Sequence, residues 1–118
     1  MDDPVPATLR AFLLEHIDSV AQLEALLLLR RVGKPLPTGK VAAALYVPET
    51  IASAELATLQ SRGLIEVGPD GWLFAPNPMV DLLAETYAKA LIPVTNIVHG
   101  NTLRLRRFAD AFKFRKDN

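Results

Sequence analysis

The chain has 118 residues, half of them hydrophobic and 22% charged, with 13 basic side chains balancing 13 acidic ones. That is the profile of one folded domain, and it excludes both a disordered segment and a protein that coats nucleic acid by bulk charge. The lack of cysteine excludes a disulfide framework and a thiolate metal site, and fits a cytoplasmic home.

The opening "MDDPVPATLR" carries acid where a secretory signal carries base, so no signal peptide is expected. A first helix is predicted from Pro6 to His16, with Leu9, Phe12 and Leu13 on one face. The stretch "HIDS" breaks it. Ser19, with Gln22 three residues on, completes a capping-box pattern and opens a second helix, "SVAQLEALLLLRR". This helix is apolar nearly all round, which places it at the centre of the core. Its run Ala25–Leu29 is far short of the roughly 20 apolar residues that span a bilayer, so no membrane span is expected. Arg30 and Arg31 complement the negative end of its dipole.

"VGKPLPTG" is a loop, since its prolines and glycines forbid regular structure. Thr38 is expected to cap a short third helix ending at Leu45, and Pro48 to open a fourth running to Arg62, where Gly63 stops it. "LIEV" and "WLFA" read as strands, joined by a type I turn at Pro69–Asp70 with Gly71 at positive φ. Pro76, Asn77 and Pro78 start a long helix. Its apolar positions Val80, Leu83, Tyr87, Ala90, Val94 and Ile97 form a heptad-like seam suited to a second chain. Pro93 should kink this helix near Lys89, and Gly100 and Asn101 should end it. The segment from Thr102 to Lys116 is expected to be a short amphipathic helix.

Charge is unevenly spread. Residues 48–99 hold two basic and six acidic side chains, a net of −4, whereas residues 100–118 hold six and two, a net of +4. His16 and His99 are far apart and show no metal-ligand spacing. No phosphate loop, nucleophile elbow or zinc-protease motif is present, so no catalysis, cofactor or metal is expected.

The element order, mainly α with a small β-hairpin, resembles a winged helix-turn-helix domain. The block "LATLQSRGLIEVGPDGWLF" is similar to the recognition helix and wing of MarR- and PadR-type bacterial regulators, with Leu59, Gly63, Leu64 and Ile65 carrying the signature. The resemblance covers Ser19 to Ala75. It implies a winged-helix domain over residues 1–76 and a C-terminal dimerisation extension over 77–118. It also implies a cytoplasmic transcriptional regulator that binds duplex DNA as a homodimer.

The residues themselves complicate that function. The outward face of the fourth helix shows Thr50, Ser53, Ala54, Ala57, Thr58 and Ser61, which can donate hydrogen bonds but include none of the commonest base-reading side chains. Phosphate contacts would fall to Lys34, Thr38, Lys40, Arg62 and the C-terminal Arg104, Arg106, Arg107 and Lys113. Asp70 at the wing tip would repel phosphate. The alternative is a protein-interaction winged helix, docking a partner through the small-residue face.

The basic tail has an apolar stripe of Leu105, Phe108, Ala109 and Phe112. Docking of that stripe on the domain or on a dimer mate is the preferred reading, with Phe108 and Phe112 joining the dimer seam. An auxiliary DNA clamp and a helix lying on an anionic membrane surface are the alternatives.

Overall fold

The computed structural model describes residues 3–116, with side chains through Ala111. The protein is mainly helical, with one two-stranded antiparallel sheet. Helix α1 spans Ala7–His16, α2 Val20–Val32, α3 Thr38–Leu45 and α4 Glu49–Ser61. Strands β1 (Ile65–Gly68) and β2 (Gly71–Phe74) follow, then α5 (Pro78–Lys89) and α6 (Leu91–Lys116).

Helix α2 is the centre, as its apolar circumference demands. Leu23, Ala25, Leu26, Leu28 and Leu29 are all buried, and α3, α4, β2 and α6 surround it. The Ser19 hydroxyl accepts from the Gln22 N–H at 3.1 Å, while the Gln22 side chain accepts from the Asp18 N–H at 2.9 Å. One of the helix's orphan donors is thus satisfied, and the reciprocal bond, displaced by one residue from the usual box, satisfies the N–H of Asp18 before the cap. Gly33 ends the helix at φ 70.

Proline at Pro48 and glycine at Gly63 (φ 75) bracket α4 as its sequence demands. The hairpin pairs Ile65 with Phe74 and closes from Gly68 to Gly71 across Pro69–Asp70. Gly71 is required twice over. Its φ is 130, and a Cβ there would stand 2.4 Å from the backbone of Leu36. That close approach lets Leu36 pair with Trp72 as an isolated bridge beside the hairpin.

Three expectations for the helices and their caps are corrected. Thr38 does not cap α3; Pro37 takes the N-cap position, and the Thr38 hydroxyl accepts from the Trp72 indole at 2.9 Å. The long helix is two helices rather than one kinked helix. The chain breaks at Ala90 (φ −138, ψ 54), and Pro93 falls in the first turn of α6, where a missing N–H leaves nothing unpaired. Gly100 and Asn101 do not end a helix, because α6 runs straight through them.

The seam Val80, Leu83 and Val94 is fully buried within the chain, with Tyr87 and Ile97 packed partly against the same core. A seam consumed internally cannot face a second chain, so Val80, Leu83 and Val94 are not a dimer surface, and the break between α5 and α6 interrupts the seam at Ala90.

Over its described side chains the tail does not dock on its own domain. From Leu103 to Ala111 every side chain of α6 is exposed. The radius of gyration, 15.2 Å, accordingly exceeds the ~13–14 Å of a compact domain of this length.

Candidate functional site

The α1–α2 linker, His16 to Ser19, is held from two sides. Arg62, at the end of α4, donates to the His16 carbonyl and pairs with the Asp18 carboxylate at 2.8 Å. Glu55 of α4 accepts from the Ser19 hydroxyl. From α6, buried Asn101 donates to the Leu14 and Ile17 carbonyls at 3.3 and 2.8 Å, and Thr102 donates to the Asp18 carbonyl. Asn101 therefore supplies donors to carbonyls that the end of α1 leaves unpaired.

This arrangement removes several expected DNA contacts. Arg62 is committed to Asp18 and His16, and Thr38 to Trp72. Thr58 donates to the Ala54 carbonyl and Ser61 to the Thr58 carbonyl, so both hydroxyl protons are spent within their own helix. Thr50 and Ser53 remain exposed on α4, and Lys34 and Lys40 are exposed on the α2–α3 loop and on α3. Arg104 donates to the Asn101 side chain at 2.7 Å, while Arg106 and Arg107 are exposed. The side chains of Phe112 and Lys113 lie outside the described residues.

The surface around the start of α4 has a character of its own. Tyr46 follows α3 in the left-handed conformation (φ 57) with 95% of its surface exposed. Glycine or asparagine would hold that turn at less cost, and an aromatic ring gains nothing there from its own chain. Ile51 is 47% exposed one turn on. Glu49 reaches back to α3, its Oε1 standing 3.6 Å from where a Cβ on Gly39 would lie. Thr38, next to Gly39, is tied to Trp72, so the end of α3 that Glu49 reaches is joined to the hairpin. The hairpin adds exposed Glu66, Val67 and Asp70. None of Glu49, Glu66 and Asp70 belongs to an ion pair among the described residues. The corner is thus apolar and net acidic, with Lys40 of α3 as its exposed cation and no cation on the exposed middle of α4.

Among the described residues two titrating groups depart from their ordinary values. Burial raises the Tyr87 phenol, and its hydrogen bond to Glu24, 2.6 Å, raises it further. The Val5 N–H and the Arg10 guanidinium hold the Asp3 carboxyl below the usual carboxylate range.

Sequence reasoning missed Tyr46, Asp18, Glu55, Asn101 and Thr102. Only Tyr46 had a local signal, an aromatic two residues before the proline that opens α4. Among the described residues no cluster of three or more histidine, aspartate or glutamate side chains could hold a metal ion, and no helix is long and apolar enough to cross a membrane. No family model matches the chain, and no curated protein or solved structure is significantly similar to it.

Proposed function

We propose that this is a winged-helix protein-interaction module, acting in the cytoplasm without catalysis, whose docking surface is the α3–α4 corner and the outward face of α4. The winged-helix assignment rests on the order of α2, α3, α4 and the hairpin, with Leu36 bridging to the hairpin as a stub of a third strand. The interaction reading rests on Tyr46. A strained, solvated aromatic beside an uncharged helix face suits a protein anchor, since exposed tyrosine supplies large contact area at interfaces.

DNA binding as a homodimeric regulator is the second reading. Exposed Lys34, Lys40, Arg106 and Arg107 favour it, being free to meet phosphate. One experiment separates the two. A photo-reactive amino acid in place of Ser53, on the exposed face of α4, is irradiated in cells. Protease-sensitive, nuclease-resistant adducts are expected. Nuclease-sensitive adducts, together with duplex binding that weakens steeply as salt rises, would overturn the interaction reading in favour of DNA.

A further inference from the structure

We infer that the occupant of this corner is the basic tail of a second copy of the same chain, an inference that rests on the interaction reading above. The tail begins as a continuation of a buried stripe. Val94, Val98, Asn101, Leu105 and Phe108 follow one another on α6 at spacings of four, three, four and three residues, which is one face of a helix. The first three are buried against the body, at 0%, 0% and 2% exposure. The last two continue the same face past the edge of the body, and Phe108 is 73% exposed. The surface that anchors α6 therefore extends beyond anything its own chain offers.

Charge identifies what covers it. Between Leu103 and Ala111 the stripe is flanked by Arg104, Arg106 and Arg107 against a single acid, Asp110. Two such stripes facing each other would bring arginines together, which disfavours a tail-to-tail pair. The α3–α4 corner and hairpin offer the complement: exposed Glu49, Glu66 and Asp70, which make no ion pair among the described residues, together with exposed Tyr46, Ile51 and Val67. Against the exposed cation of α3, Lys40, these three acids leave the surface net negative, where the tail from Leu103 to Ala111 is net positive.

A twofold dimer in which each chain gives a tail and receives one satisfies both charges and makes the contact twice. A buried phenylalanine alone covers on the order of 200 Å². With the leucine and the arginine stems, two reciprocal contacts reach the ~1,200 Å² at which specific interfaces begin.

Sedimentation of the full chain tests this, with circular dichroism as a control for folding. Wild type is expected to sediment as two chains at micromolar concentration, and to dissociate as salt rises. Phe108→Glu should weaken the dimer roughly tenfold or more, and so should Tyr46→Gly combined with Glu66→Arg. All three positions are exposed, so the fold is not at stake, and glycine relieves the left-handed Tyr46. Mixing the two variants should restore association in part, because one good tail then meets one good corner.

A single chain at all concentrations would overturn the inference, as would a dimer indifferent to Phe108→Glu or a mixture that recovers nothing. Capture of the monomer's tail by anionic vesicles or duplex DNA would also overturn it. If the Ser53 probe joins the chain to a different protein, the second copy falls while the interaction reading stands.

Discussion

Tyr87 shows at the scale of one residue how spacing can name a position and miss its partner. Its place in the heptad pattern assigns it to a seam between chains, yet its phenol donates to Glu24 of its own α2. Burial and that carboxylate raise its pKa above the ordinary value of 10.0. A group whose folded pKa is raised contributes stability that is fully present below its unfolded pKa and is lost as pH rises through the folded one. The bond should therefore be intact at neutral pH and fail only in the alkaline range above about 10. Tyr87→Phe is expected to lower stability at neutral pH by about 1 kcal/mol, below the ~1.5–3 kcal/mol of a buried hydrogen bond to a charged group because the side chain is only half-buried. It should also flatten the alkaline decline. Urea unfolding at neutral and alkaline pH checks both effects. An alkaline slope equal to that of wild type would mean that another group carries the dependence.

At the scale of elements, the parts legible in the sequence are those set by local backbone chemistry. Pro48 and Gly63 bracket α4, Ser19 caps α2, and the "GPDG" turn closes the hairpin, because each acts on residues within a few positions of itself. What failed depends on residues far along the chain. Arg62 has the chemistry of a phosphate ligand, but its partners, His16 and Asp18, lie 46 and 44 residues away and no local pattern shows them. Gly100 and Asn101 have the composition of a helix end, and α6 passes through because Asn101 is buried against α1, where its amide satisfies two carbonyls. Gly100 then sits inside a helix with open space where a Cβ would stand. Gly100→Ala is expected to stabilise the protein by ~0.5–1 kcal/mol, since alanine has the higher helix propensity and nothing obstructs it. Denaturant melts decide the point. A loss of stability would mean that the helix does end at Gly100, as composition implies.

At the scale of the whole molecule, α6 belongs to two regimes. Up to Thr102 it is fixed by the core and by the bonds of Asn101 and Thr102 to the α1–α2 linker; from Leu103 to Ala111 it has no burial of its own. A helical segment without tertiary burial retains only its local propensity, and isolated helices this short are marginal in water. Amide exchange should divide at that boundary. In dilute solution and high salt, where chains are separate, amides from Val94 to Thr102 should exchange through near-global unfolding, while those after Leu103 exchange through local opening within a much shorter time. Raising the protein concentration at low salt should then slow exchange in the tail and, in parallel, in the amides around Tyr46 and the hairpin. Protection that rises in the tail alone would place its partner elsewhere than the α3–α4 corner. Tail amides that exchange slowly even in dilute, high-salt solution would show that α6 is held along its whole length within a single chain. The paired gain at tail and corner is the outcome required if the net base of residues 100–118 meets the net acid of residues 48–99 between copies.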